Sequence, residues 1–66
     1  MNPTQETVLQ ILRESGPTTI PDLCRRMGRA KHPVYKACRN LERDGFVRIA
    51  GTADDPHRPF IWEAVE

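Results

Sequence analysis

Glycine and proline cut this chain at Gly16-Pro17, Gly28, Pro33 and Gly45, and the segments they leave are too short for anything but three small helices and a β-rich tail. The first segment opens on Asn2, Pro3 and Gln5: a capping residue, a proline at the first helical position and a glutamine at the third. With Val8, Leu9, Ile11 and Leu12 at helical spacing, it predicts a helix from Pro3 to Ser15, ended by Gly16 and Pro17. Thr18, Thr19 and Ile20 are extended in character. Thr19 with Asp22 three residues on forms a candidate capping box, opening a second helix that runs through Met27 with Ile20, Leu23, Cys24 and Met27 on its apolar side.

Gly28 supplies a tight turn into a third helix, expected over Lys31–Asp44 with Pro33 suited to its first helical position. Val34, Ala37, Cys38 and Leu41 recur at the spacing of a buried face, which leaves His32, Tyr35, Lys36, Arg39 and Arg43 on the opposite side. After Gly45 the apolar period changes from about 3.6 to 2. That change predicts a strand over Phe46–Ala50, a turn-rich loop over Gly51–Pro59 and a second strand over Phe60–Val65, paired as a two-stranded hairpin. A lone hairpin is not stable in water, so Phe46 and Trp62 are expected to fold its inner face against helices 1 and 3, completing a core with Ile11, Ile20 and Leu41. The fold class is therefore mainly α (α+β), a three-helix core with a two-stranded β-hairpin, and residues 1–66 are expected to form one domain.

The net charge of +1 conceals a strong partition. Residues 1–24 carry −2, residues 49–66 carry −3, and the 24 residues between them carry +6. Such asymmetry points to a polyanionic partner. An α-helix fits the major groove of B-form DNA, where Arg and Lys recognise guanine and apolar or aromatic groups meet the thymine methyl. His32, Tyr35, Lys36 and Arg39 are accordingly assigned to base edges or groove lining, and Lys31, Arg43, Arg25 and Arg26 to phosphates. Tyr35 is the most telling of these, being an aromatic among polar neighbours on a face the core does not use. Arg58 and His57, beside Pro59 on the loop's descending side, are placed to reach a phosphate or the narrow minor groove. Asp54 and Asp55 oppose them, so the loop tip is expected to turn away from the duplex while the Arg58 side approaches it.

Several function classes lose support on the same residues. No nucleophile elbow, phosphate-binding glycine loop or metal-ligand helix is present, so no catalytic residues, cofactor or small-molecule ligand are expected, and the chain is not read as an enzyme. Cys24 and Cys38 each fall on the apolar side of a helix, and His32 and His57 sit on an exposed helix and a loop, so no metal site is expected either. No apolar run approaches the roughly 20 residues of a membrane span, and MNPTQET lacks the basic and apolar regions of a secretory signal, which places the protein in the cytoplasm.

The run HPVYKACRNLERDGFVRI, residues 32–49, resembles the recognition helix and first wing strand of winged helix-turn-helix transcription regulators. In those regulators a V-Y-K/R pair, a leucine and a basic-acidic-glycine-apolar ending recur. With helix 1 and the hairpin, the resemblance extends over nearly the whole chain. The architecture is also similar to that of domains that bind left-handed Z-form DNA, which share a proline in the wing and a nearby tryptophan. Those domains rely on an asparagine and a tyrosine where this chain has Tyr35 and Arg39. Small winged helices associated with iron transport carry a cysteine cluster in the wing, and this wing has none. The resemblance implies a sequence-selective regulator of transcription, a repressor or activator, that occupies double-stranded DNA, and the size of the chain suggests a phage, plasmid or similarly compact regulator. A homodimer, tandem sites or a partner protein would then be needed to reach useful specificity. The alternative is a winged helix whose basic face docks on an acidic protein.

Overall fold

The computed structural model describes residues 1–65. In chain order the elements are α1 (Pro3–Ser15), β1 (Thr18–Thr19), α2 (Ile20–Met27), α3 (Lys31–Arg43), β2 (Val47–Thr52) and β3 (Phe60–Ala64). Each helix begins and ends for a local reason. Asn2 caps α1 through Oδ1, which accepts from the Gln5 N–H at 2.8 Å, while Gln5 Oε1 accepts from the Asn2 N–H at 3.4 Å, a complete capping box. At α2 only the Thr19 half of the expected box forms, with the Asp22 N–H donating to Thr19 Oγ1 at 3.4 Å, because the Asp22 carboxylate is held by Arg25 instead.

The turn between α2 and α3 depends on Gly28, whose φ of 64° and ψ of 38° lie in the left-handed region that glycine enters without a Cβ penalty. Helix α3 begins at Lys31, so Pro33 is its third residue rather than its first; its missing N–H still falls in the first turn, where no intrahelical acceptor exists. The helix closes at Arg43, one residue earlier than expected. The Phe46 N–H donates to the Leu41 carbonyl at 2.9 Å and the Gly45 N–H to that of Glu42 at 3.0 Å, with Gly45 at φ 85°. This is a Schellman closure.

The expected hairpin is present and gains a third strand. Strand β3 lies in the middle of an antiparallel sheet of order β1-β3-β2, with Thr18 opposite Trp62, Ile49 also opposite Trp62, and Val47 opposite Ala64. The pair β2–β3 shifts register between Ile49 and Gly51, leaving Ala50 as the extra residue of a bulge. The extended Thr18–Thr19 segment thus finds its hydrogen-bonding partner in a strand more than 40 residues away.

The core is a single cluster that includes Val8, Leu9 and Leu12 of α1, Ile20 and Leu23 of α2, Val34, Ala37, Cys38 and Leu41 of α3, and Val47 and Trp62 of the sheet. Ile11, Cys24 and Met27 pack at its edge. Phe46 departs from expectation: it is 38 % exposed, and Val47 takes the buried place. The reason is its backbone. Phe46 spends its N–H closing α3 and its carbonyl on the Val65 N–H, so the alternation of the strand starts one residue later, with Val47 and Ile49 turned inward.

Trp62 is fully buried, and its indole Nε1 has no hydrogen-bond acceptor among the described residues. An orphaned buried donor costs about 1–3 kcal/mol. We therefore expect Trp62→Ala to destabilise the domain by about 3–5 kcal/mol through cavity formation, and Trp62→Phe by less than about 1.5 kcal/mol, since it keeps most of the ring and removes the orphan. Urea denaturation of both variants checks this; equal losses would show that the N–H is satisfied.

Burial, with a smaller contribution from Cys24 nearby, pushes the Cys38 thiol up from its ordinary value of 9.0 to about 12. The folded state then holds a proton that the unfolded chain releases, so stability is constant below pH 9 and falls as pH rises toward 12. Cys38→Ala is expected to flatten that alkaline decline in denaturation curves. In the wild-type chain, the half-buried Cys24 should react with a thiol reagent at mildly alkaline pH long before Cys38 does.

Candidate nucleic-acid interface

Helix α3 divides its surface cleanly. Val34, Ala37, Cys38 and Leu41 are buried, and Lys31, His32, Tyr35, Lys36, Arg39 and Arg43 are exposed, as the spacing predicts. Tyr35 is 38 % exposed and carries the Arg39 guanidinium 5.9 Å from its ring centroid, within cation–π range. The two side chains are therefore neighbours on the exposed face of the helix.

Across from the first turn of α3 stands the loop of the wing. Between them lies a groove of about 510 Å³ bounded by Lys31 and Tyr35 on the helix and by Asp55, His57, Arg58, Pro59 and Phe60 on the wing, with Ile20 and Pro21 at its floor. The structure thus brings Lys31, Tyr35 and Arg58 together. Lys36 lies on the other flank of α3, beside Asn2, Thr4 and Asn40. Arg43 stands at the far end of the helix next to Asp44, at 3.8 Å. Arg25 and Arg26 do not line the groove: Arg25 pairs with Asp22, and Arg26 Nη1 donates to Ser15 Oγ at 2.8 Å, toward the end of α1.

The groove also contains residues that periodicity did not single out. Phe60 is 43 % exposed and meets Trp62 edge-on, ring centroids 6.4 Å apart at 89°, so its outer face is free while its edge rests on the core. Pro21 and Pro59 complete an apolar lining between cations. An exposed aromatic at the start of β3, two residues from a buried tryptophan on the same sheet face, was the one available signal.

Electrostatically, the basic segment is partly self-compensated. Arg39 pairs with Glu42 at 3.0 Å, and Arg48 pairs with Glu63 across the sheet. These pairs are solvent-exposed and contribute about 0–1 kcal/mol each, so a phosphate or a base edge can displace them cheaply. Lys31 and Lys36 have no ion-pair partner among the described residues. Asp55 is committed to the turn itself: its Oδ1 accepts from the His57 N–H and its carbonyl from the Arg58 N–H, both at 2.9 Å. Among the described residues no three His, Cys, Asp or Glu side chains converge on a metal-sized site, and no helix is long and apolar enough to cross a membrane.

Three helices with a basic, outward-facing third helix, flanked by a small antiparallel sheet, define a winged helix-turn-helix domain. The sequence profile of the winged helix-turn-helix DNA-binding family matches residues 1–48, and the chain belongs to that family. No curated protein sequence matches it significantly. Among solved structures, it superposes on a mutant of ZitR from Lactococcus lactis with a TM-score of 0.87 at 21 % identity, over 100 % of this chain and 44 % of that one. A MarR family regulator from Neisseria meningitidis gives 0.83 at 21 % identity, over 100 % of this chain and 46 % of the regulator. The chain thus spans less than half the length of either protein. The Zalpha domain of Carassius auratus PKZ, crystallised with Z-DNA, gives 0.77 at 19 % identity, over 94 % of this chain and 92 % of that domain.

Arg58 occupies φ 46°, the left-handed region, and is the only non-glycine residue among those described to do so. Such a conformation costs on the order of 1 kcal/mol for a residue with a Cβ. Arg58→Gly should therefore stabilise the free domain by up to about 1 kcal/mol, a rise of roughly 4–8 °C in Tm for a domain this small, whereas Arg58→Ala should not. A calorimetric scan in which glycine gives no gain would show that the loop relaxes without strain.

Proposed function

We propose that this domain binds double-stranded DNA sequence-selectively, with α3 in the major groove and the wing on the flanking backbone or minor groove, and that it regulates transcription by occupying an operator. The observation that carries the reading is the continuous surface from the exposed face of α3 to the wing, where Lys31, Tyr35 and Arg58 share one groove. In this arrangement His32, Tyr35, Lys36 and Arg39 meet base edges or line the major groove, Lys31, Arg43, Arg25 and Arg26 meet phosphates, and Arg58 meets a phosphate or the minor groove. Repression follows if the operator overlaps the site where polymerase must bind. The 66 residues act as one DNA-binding unit in the cytoplasm, without cofactor or metal.

Likeness to a domain crystallised with Z-DNA does not shift the reading to that form. Tyr35 and Arg39 stand where the resemblance places the asparagine and tyrosine of Z-form binders, and an arginine on the exposed face of α3, freed from its weak pair with Glu42, suits guanine edges of a B-form major groove. The wing also fits the duplex only in part, because the Asp55 carboxylate lies on the groove with Arg58.

Selection of bound duplexes from a random pool, followed by titration at two salt concentrations, tests the proposal. An enriched motif and a steep loss of affinity with salt are expected, since counterion release makes nucleic-acid complexes salt-dependent. Lys36→Ala and Arg39→Ala should each cost about 1–3 kcal/mol on the selected sequence and less on random DNA, and Arg25→Ala should weaken both alike. Arg58→Ala should cost about 1 kcal/mol. Asp54→Asn with Asp55→Asn should tighten binding at low salt, since asparagine keeps the oxygen that receives the His57 N–H but not the charge. No enrichment and no salt dependence would move the basic face to an acidic protein partner.

A further inference from the structure

Away from the groove, the structure exposes a second surface that DNA binding does not use. The outer stripe of α1 borders a depression of about 500 Å³ whose apolar part comes from Phe46 and Met1, 38 % and 57 % exposed, over Leu9. Its polar rim is Glu6, Gln10, Arg13 and Glu14. At 100° per residue, positions 6, 10 and 13 fall within about 60° of one another on the helix, and Glu6 and Arg13 are separated by roughly 10 Å along its axis. Neither has an ion-pair partner among the described residues. Gln10, between them, donates from Nε2 to Glu14 at 3.1 Å, so the second carboxylate on the rim has a hydrogen-bond partner within its own helix.

We propose that this face of α1 is a two-fold docking surface for a second copy of the same chain. A two-fold axis crossing α1 between Leu9 and Gln10 lays the two helices antiparallel. Glu6 of one copy then meets Arg13 of the other, and Arg13 meets Glu6, so one complementary pair is satisfied twice. In the same arrangement each copy covers the Phe46 and Met1 of the other's depression, with the two Met1 side chains at opposite ends of the contact, and these apolar groups leave water. A parallel packing would set Glu6 against Glu6 and Arg13 against Arg13. A uniformly acidic or basic partner would satisfy only one end of the stripe. The Glu6–Arg13 order along the helix is therefore complementary to itself in the antiparallel orientation, which favours a second copy of this chain.

The area available is modest. A helix of 13 residues is roughly 20 Å long, and its outer stripe with two apolar side chains falls short of the roughly 800 Å² per partner of a standard interface. The dimer is accordingly a weak, reversible one, with dissociation in the micromolar range or above. None of the residues bordering this depression belongs to the DNA-facing set, so the inference stands or falls independently of the function proposed above.

Sedimentation equilibrium of the full chain at low salt, without DNA, tests it. The wild-type protein should associate to a dimer at concentrations up to roughly 1 mM, the weak end of the affinity scale. Arg13→Glu and Glu6→Arg should each weaken self-association by about tenfold or more, because each sets like charges opposite one another. An equimolar mixture of the two single variants should regain a dimer, since every pair is again complementary, and the double variant should regain it with itself. Phe46→Ser should weaken the dimer without changing any charge. Circular dichroism of each variant checks that α1 is intact, and any variant that loses helicity is replaced in the comparison by Phe46→Ser. A chain that stays monomeric throughout, single variants that associate as the wild type does, or folded single variants whose mixture fails to associate would overturn the proposal.

Discussion

Burial of the Trp62 indole joins the two halves of this domain. It lies on the middle strand of the sheet, opposite Thr18 on one side and Ile49 on the other, and its ring fills the space between the sheet and the helices. Without it the hairpin would keep one fully buried residue, Val47, with Ile49 and Ala64 only half-buried against the core, and a two-stranded ribbon of that kind is marginal in water. The wing holds its place beside α3 because this one ring is packed.

Helix α3 meets two demands with one sequence. Small and branched residues on its inner face let it approach the other helices closely, and the same spacing forces its long cationic side chains outward. Since the exposed ion pairs on it and on the sheet are weak, the charge available to a polyanion is set by how readily Arg39 and Arg48 exchange their carboxylate partners, as well as by the unpaired lysines. Buried Cys38 takes no part in this, because its thiol remains protonated across the physiological range.

The helices were legible in the sequence because their limits are local: Asn2 with Gln5, Gly28, and Gly45 each act within a few residues of themselves. The exposed face of α3 was legible for the same reason, as the complement of a buried stripe. Strand β1 was not. Two threonines become a strand only because β3 offers them an edge, and no pattern in Thr18–Thr19 encodes that distant partner. Phe46 misleads because hydrophobicity alone assigns it to the core, whereas its backbone groups are consumed by helix closure and by Val65. The groove between α3 and the wing brings together residues from α2, α3, the loop and β3, and only the tertiary fold could reveal Phe60 and Pro21 as part of its lining.

The edge contact between Phe60 and Trp62 has a practical consequence. The chain has one tryptophan, fully buried, and its ring touches an aromatic side chain whose other face is open to the groove. Whatever settles in that groove presses on Phe60 and alters the surroundings of the indole without touching it. The molecule therefore contains an optical gauge of its own occupancy: the emission of its single tryptophan, excited apart from Tyr35, is expected to follow events at the wing, and its quenching by solutes the tightness of the core. Binding and loosening of the fold can be told apart in one unlabelled sample.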